Sequence, residues 1–343
     1  DTVTFTSGAN LSVDGTIKLD GNYPTGTANV ALGDTALDSV ASSGTHNTVI
    51  GNQSGTAITT GDHNTAVGSC ALITLSTGSN NTAIGDRSLR NNTGGENTSV
   101  GAFSLEANVG GECNTAVGRT SLCGNTTGGC NTAVGFQSLK ANTTASTNTA
   151  VGVEAMVSTT TGFGTAVGYG AMKANTTSSG NTAMGYQAMC SVTTGGNNTA
   201  FGLEALKSVV TGTNNVAVGR DALELNTGSH NTAVGYLALG VNTSGASNVA
   251  VGCGALLDAT TADKNTAIGL GAAANTTTGG CNTVVGMGAL NINTTGQYNV
   301  AIGCGALNAN TTASENVAVG MESLKDNTTG YANVAMGRQA LCT

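Results

Sequence analysis

The chain has 343 residues, of which 52 are glycine, one is proline and none is tryptophan, and only 9% carry a charge. Average globular chains are about 25% charged, and the large side chains that fill an ordinary core are scarce here. The net charge is −8 with 11 scattered basic residues, which argues against a nucleic-acid partner; no apolar run of 18 residues occurs, so no membrane-inserted helix is predicted.

Residues 1–28 precede the repetitive part of the chain and are predicted to form a β connector. Short alternating segments at 3–5, 11–13 and 16–19 are separated by glycines, and the only proline, Pro24, lies at the junction. The chain begins at Asp1 with no signal-peptide stretch. We therefore expect a processed chain or a portion of a longer one.

From Asn29 onward, the motif Asn-(Thr/Val)-Ala-(Val/Ile)-Gly recurs 19 times, and 14 of the 18 steps between copies are 17 residues long. We number the Asn as position zero, and a column is the set of residues that share one position in successive repeats. Position one is Thr or Val in every copy, position four is always Gly, and position eight is Leu or Met in 17 copies. Such a short unit cannot bury its own apolar face, so its repetition predicts a solenoid.

The residue types predict an all-β fold, a parallel β-solenoid of 19 coils that forms a shaft over residues 29–343. Positions one and three are β-branched and share one face of a strand, which we expect to face inward. Position two, usually Ala, points the other way and implies the close approach of another backbone. The Ala/Ser-Leu pair at positions seven and eight is predicted to begin a second short strand whose Leu enters the core. The following turn, often Asn-Thr-Thr-Gly, absorbs the length changes and is expected outside.

Stacking places identical residues above one another, and in-register Asn ladders are known to stabilise stacked strands. We therefore predict a structural ladder of side-chain amides in column zero and tight corners at position four, where Gly permits a positive φ. The predicted ladder comprises Asn47, Asn64, Asn81, Asn97, Asn114, Asn131, Asn148, Asn181, Asn198, Asn215, Asn231, Asn248, Asn265, Asn282, Asn299, Asn316 and Asn333. The corner glycines include Gly68, Gly85, Gly135, Gly168, Gly219, Gly252, Gly303 and Gly337.

The core pattern Asn-(Thr/Val)-Ala-(Val/Ile)-Gly-x-x-(Ala/Ser) resembles the head repeat of trimeric autotransporter adhesins. It also looks like the NTAVG-type repeats of bacteriophage tail fibres and related viral fibres, and residues 15–24 are similar to phage fibre entries into such shafts. The resemblance implies a left-handed parallel β-roll with one coil per repeat and three chains side by side. The repeat here is longer than that of the adhesin heads, and we see no anchor or coiled-coil stalk, which favours a fibre.

Candidate contact residues follow the glycine corner. Phe136, Tyr169, Tyr186 and Tyr236 occupy position five and are expected to face outward for carbohydrate stacking or to pack between subunits. Several Asn-x-Ser/Thr sequons arise from the turn; they include Asn125, Asn142, Asn175, Asn242, Asn293 and Asn310. In a phage they would carry no glycan, whereas a eukaryotic virus could glycosylate them.

Nine cysteines and three histidines complete the reactive residues, and neither zinc spacing nor a C-x-x-C pair occurs. Most of the cysteines are expected to be small buried residues. Cys113 and Cys130 precede position zero of adjacent coils, which would put them within disulfide reach. His46 and His63 occupy nearly equivalent positions in successive coils and are expected to stack. No catalytic constellation, metal site or cofactor is predicted.

The preferred interpretation is a non-enzymatic structural or adhesive protein, the shaft of a homotrimeric phage or viral tail fibre on the virion surface or outside the cell. Its predicted partners are two further copies, other fibre or baseplate proteins, and a host-surface glycan or protein. Two alternatives are a self-stacking extracellular filament, suggested by the uncapped C-terminus, and an ice-binding solenoid, suggested by Thr at position one in 13 of 19 coils. A hexapeptide-type acyltransferase is less favoured, because its apolar anchors recur every sixth residue.

Overall fold

A computed structural model describes residues 28–342, and the predicted connector lies outside these residues except for Ala28. The described part is all-β and contains 19 strands, one for each repeat. They are β1 Val30–Leu32, β2 Thr48–Ile50, β3 Thr65–Val67, β4 Thr82–Ile84, β5 Thr98–Val100, β6 Thr115–Val117, β7 Thr132–Val134, β8 Thr149–Val151, β9 Gly164–Val167, β10 Asn181–Met184, β11 Thr199–Phe201, β12 Val216–Val218, β13 Thr232–Val234, β14 Val249–Val251, β15 Thr266–Ile268, β16 Thr283–Val285, β17 Val300–Ile302, β18 Val317–Val319 and β19 Val334–Met336.

All 19 strands form one parallel sheet in which each strand pairs with those before and after it in sequence. The register is position for position: Thr65 pairs with Thr82, and Ala66 pairs with Ala83. The predicted parallel β-solenoid with a repeat of about 17 residues is therefore confirmed. At a strand spacing of about 4.8 Å, the stack is about 86 Å long.

The core lies behind the strands and is formed mainly by positions two, seven and eight, with apolar residues of column eleven added in some coils. Ala133 and Ala233 at position two are fully buried, as are Leu139 and Leu239 at position eight. The inward direction expected for positions one and three is wrong. From β2 to β19 those positions are half-buried or exposed while position two is buried, as in β7 and β13. The coil is thin, so a Leu from the opposite side and an Ala from the strand fill it, and two β-branched columns would not fit.

The second short strand expected at positions seven and eight does not form; this segment is a turn. Leu139 and Leu239 still enter the core, but with φ of 49° and 51°. The left-handed region is strongly disfavoured for residues branched at Cβ. This explains why column eight contains Leu and Met but neither Val nor Ile.

The corner glycines are required by both conformation and space. Gly135 has a φ of 130°, and a Cβ added there would lie 2.5 Å from the carbonyl oxygen of Gly152 in the next coil. The strand turns at the place where successive coils touch through their backbones. Any side chain at position four would separate them.

We predict that Gly135→Ala lowers the unfolding temperature sharply, because it combines a disfavoured φ with a backbone clash at a cost of about 2–4 kcal/mol. Gly110→Ala is the matched control, since Gly110 lies in an exposed turn where an added Cβ meets no atom within 4 Å. The control should stay within about 0.5 kcal/mol of the parent. Thermal unfolding followed by circular dichroism measures both, and equal effects would contradict the proposed close contact.

Candidate interaction surface

The outward-facing side chains of columns one and three form a continuous surface, which we call the strand face. Position one contributes 13 Thr and six Val, position three contributes only apolar residues, and no position in either column carries a charge. The position-three side chains are substantially accessible, as shown by Ile268, which is 41% exposed. A long, uncharged and partly apolar exposed surface is unusual for an isolated soluble chain, which makes the strand face the leading candidate for an interaction site.

The threonines of the strand face are not evenly distributed. Ten consecutive coils, β2 to β11, carry Thr at position one, from Thr48 to Thr199. Beyond β11, five of the eight coils carry Val at this position. The N-terminal half of the face therefore alternates hydroxyl-bearing and apolar columns, whereas the C-terminal half is more uniformly apolar.

Column five adds a second apolar stripe beside the strand face, just past the glycine corner. In the first six coils this column is polar or small, with Asp34 and Asp86 among its members. In the next twelve coils it contains a single charged residue, Arg220, and all twelve side chains are exposed. These residues are Phe136, Val153, Tyr169, Tyr186, Leu203, Arg220, Tyr236, Cys253, Leu270, Met287, Cys304 and Met321.

Three tyrosines of column five contact the neighbouring coil through a ring face. The rings of Tyr169 and Tyr186 lie 5.3 Å apart with an interplanar angle of 13°, and the Arg220 guanidinium lies 5.7 Å from the ring centre of Tyr236. In each contact one ring face is covered by the neighbouring coil, and that face is not open to stack on a carbohydrate.

The surface formed by columns six and nine is charged and internally paired. Lys173 Nζ lies 2.7 Å from Glu154 Oε2, and Lys207 Nζ lies 3.0 Å from Glu204 Oε2. Hydrogen bonding to these carboxylates raises the pKa of both lysines. Exposed pairs of this kind contribute little stability, but they identify a surface suited to water. Columns six and nine thus carry charged pairs in several coils, although none in the five coils from Leu237 to Asn308, whereas the strand face carries no charge in any coil.

Column zero brings the predicted Asn residues together in the interior. The Asn114 side-chain oxygen Oδ1 accepts hydrogen bonds from the Asn131 backbone N–H at 3.0 Å and from the Asn131 side-chain amide at 3.1 Å. The backbone bond recurs along most of the stack, but the amides of Asn148, Asn198 and Asn231 donate to other oxygens instead. At Gly164 only the backbone bond remains, to Asn148 Oδ1 at 2.8 Å. In the following coil, the Asn181 amide instead donates to Ser178 Oγ at 2.8 Å.

A second amide ladder, in column eleven, was missed by the sequence reasoning, which placed the Asn-Thr-Thr-Gly turn outside. Asn125 is fully buried, and its amide nitrogen donates to Asn108 Oδ1 at 2.7 Å. Asn114 and Asn125 also both donate to the carbonyl oxygen of Gly128, each at 2.9 Å. The recurrence of Asn eleven residues after the strand Asn, three residues before a Gly or Ala, was the available signal.

The burial of column eleven also corrects the interpretation of the sequons. The six predicted sequon asparagines are all fully buried, and their amides hydrogen-bond inside the coil; they are Asn125, Asn142, Asn175, Asn242, Asn293 and Asn310. A glycan on any of these nitrogens is incompatible with the folded coil in either a phage or a eukaryotic virus.

The column-eleven ladder ends where the next coil lacks an Asn. Asn242 Oδ1 is buried and has no hydrogen-bond partner, because the next residue in its column is the fully buried Ala259. A buried acceptor without a donor costs about 1–3 kcal/mol. The repeat geometry places the missing amide at Ala259.

We predict that Ala259→Asn stabilises the chain by about 1 kcal/mol, because the new amide donates to Asn242 Oδ1. Ala259→Val is the control for volume, since Val192 and Val209 occupy the same column, fully buried, in other coils. Thermal unfolding should rank the Asn variant above both the parent and the Val variant. A Val variant at least as stable as the Asn variant would show that cavity filling, and not the amide, is responsible.

The cysteines are not buried, contrary to the sequence expectation; all nine are free thiols with intermediate or full exposure. Cys113 and Cys130 occupy adjacent coils, as predicted for a possible disulfide, but both are free thiols. Cys113 Sγ instead donates to Glu96 Oε2 at 3.2 Å. This hydrogen bond is the main cause that raises the pKa of the Cys113 thiol to about 11, so Cys113 stays protonated and weakly nucleophilic at neutral pH.

Residues 28–342 contain no group of three or more His, Cys, Asp or Glu arranged to hold a metal ion. No helix in this part of the chain is long and apolar enough to cross a membrane. The histidines lie on the surface, with the rings of His46 and His63 stacked 4.8 Å apart. No known protein-family model matches the chain, and no curated protein matches it.

Proposed function

We propose that this chain is the shaft of a homotrimeric structural fibre, of the kind that phages and other viruses project from the virion surface toward a host receptor. The observation that carries the proposal is the strand face, an uncharged exposed surface that runs the full length of the solenoid. Rigidity comes from the stacked coils, and three copies would give the fibre multivalent contact with its target. The chain would attach to other fibre or baseplate proteins at the virion.

The size of the strand face is sufficient for a specific, stable protein interface. It is about 86 Å long and about 10 Å wide, which gives about 900 Å² on each chain. Standard protein interfaces bury about 800 Å² per partner. The absence of charge across both columns matches the depletion of charged residues at interface cores.

Column five supports three chains in preference to two. Two flat faces that cover each other would leave column five at the rim, where its apolar side chains would remain in water. In a three-fold bundle, the corner of each chain lies against the neighbouring chain, which covers this column as well. The twelve coils from Phe136 to Met321 would then form the more tightly associated part of the shaft, and the polar N-terminal coils would be looser.

We predict that Ile268→Lys disrupts the trimer. Ile268 is a column-three residue with 41% exposure, and Ile292, in column ten on the other side of the coil, is 38% exposed. Ile292→Lys is therefore a matched control for the intrinsic effect of the substitution. In the trimer, three lysines would be buried at the axis without partners. Each should cost about 3 kcal/mol or more of association free energy, and each such cost lowers the association constant more than about 100-fold.

Sedimentation equilibrium on the parent and both variants distinguishes the outcomes. We expect the Ile268→Lys variant to dissociate into single chains and the Ile292→Lys variant to remain a trimer. A trimer that tolerates both substitutions would place the interface elsewhere on the solenoid.

A second candidate function, ice binding, is favoured by one specific observation: the ten consecutive threonines of the strand face point outward. A regular array of hydroxyl and methyl groups, with about 4.8 Å between coils, can order water at a flat surface. The two functions compete for the same face, because a trimer would bury it. Thermal hysteresis measured on the parent and on Thr132→Lys decides: a hysteresis lost in the variant supports ice binding, and no hysteresis in a concentrated parent solution removes it.

A further inference from the structure

Two histidines form a surface pair near the N-terminal end of the solenoid, outside the strand face. His46 and His63 immediately precede the position-zero residues Asn47 and Asn64, in a column that we call column sixteen. Their rings lie 4.8 Å apart with an interplanar angle of 5°, and both side chains are exposed. Because the backbone N–H of His63 donates to the Thr45 carbonyl oxygen at 3.1 Å, the two histidines start from adjacent points on the same corner of the solenoid.

The surroundings of the pair are arranged around a carboxylate. His46 Nδ1 lies 3.0 Å from Thr45 Oγ1, and Thr45 donates to Asp62 Oδ1 from its backbone N–H at 2.7 Å and its hydroxyl at 3.1 Å. These two hydrogen bonds hold the Asp62 carboxylate, which precedes His63 in the chain, against Thr45, which precedes His46.

We propose that His46 and His63 chelate a divalent transition-metal ion that prefers imidazole ligands. Of the candidate ions, Cu²⁺ is bound most tightly, and Ni²⁺ and Zn²⁺ are bound more weakly. Each ring supplies one nitrogen, and Asp62 supplies the compensating negative charge. The stacked rings must rotate about their side-chain torsions, because the lone pair of each nitrogen lies in the ring plane and both lone pairs must point to one ion. Metal–nitrogen bonds of about 2.0–2.1 Å then bring the two nitrogens to about 3 Å from each other. Water completes the coordination, since no third protein ligand converges in this region of residues 28–342.

The physical advantage of the pair is its fixed spacing. After the first imidazole binds, the second is already within a few ångströms, and its binding becomes intramolecular with a high effective concentration. The ion would bridge adjacent coils and stabilise the folded stack through its preferential binding to that state. This site would cross-link two adjacent coils near the N-terminal end of the shaft.

The chain carries its own control. His230 occupies column sixteen in a later coil, but its column neighbours are Asn214 and Ser247. Its Nε2 lies 3.3 Å from the Asn214 amide nitrogen. It presents one imidazole on the same corner of the coil, without an imidazole partner, so it reports the affinity of a lone surface histidine.

The test is a Cu²⁺ titration at pH 7.5 of the full chain with its thiols alkylated, followed by calorimetry and electron paramagnetic resonance. The parent should bind one Cu²⁺ tightly, with a spectrum that shows coupling to two imidazole nitrogens. His63→Asn should weaken this site at least ten-fold and remove the two-nitrogen signature, whereas His230→Asn should leave it unchanged. Ser247→His should create a second site of the same spectrum beside His230.

Circular dichroism on each variant verifies that the exposed substitutions leave the fold intact. Equal losses for His63→Asn and His230→Asn, or a parent spectrum with coupling to a single imidazole, would overturn the proposal. The Ser247→His variant keeps the test decisive if the native pair is perturbed by neighbouring chains, because a pair built at a second place on the same column must reproduce the site.

Discussion

The close contact of successive coils at the glycine corner is the constraint on which this structure depends. Each position-four Gly lies against the backbone of the next coil, with no space for a Cβ at Gly135 and its equivalents. This contact holds the strands at the parallel-sheet spacing and fixes the register position for position. As a result, residues at the same position of successive repeats lie above one another along the solenoid axis and form a column.

The interior shows how a core with so few large side chains becomes specific. Its apolar part is built mainly from small alanines at positions two and seven and a Leu or Met at position eight, which by itself would tolerate slippage between repeats. The two Asn ladders prevent this, because a coil displaced by one residue would leave buried amides unpaired, at about 1–3 kcal/mol for each group. Where a ladder is interrupted at Gly164, Ser178 replaces the missing partner of Asn181.

Sequence reasoning identified the strand, the repeat length, the parallel stack and the Leu that enters the core, because these follow from periodicity and residue type. It assigned the two strand faces the wrong way round. Alternation gives two faces but does not show which of them is buried, and β-branched residues at positions one and three suit either a core or an interface.

The buried Asn of the turn was missed for a related reason. Asn125 lies in a sequence typical of exposed turns, and only the path of the chain shows that its side chain points inward. The charge-free strand face and the stacking of Tyr169 on Tyr186 likewise required the three-dimensional arrangement.

The two sides of the solenoid give the functional proposal its physical basis. One side carries paired charges such as Lys173 with Glu154, and the other carries none over 19 coils. The central claim is that the uncharged side is covered by further copies of the same chain. The most direct test is the native mass in solution, measured by light scattering without reductant. A homotrimer has three times the chain mass of 33.4 kDa, and we expect this mass at every concentration. A mass of one chain would contradict the trimer.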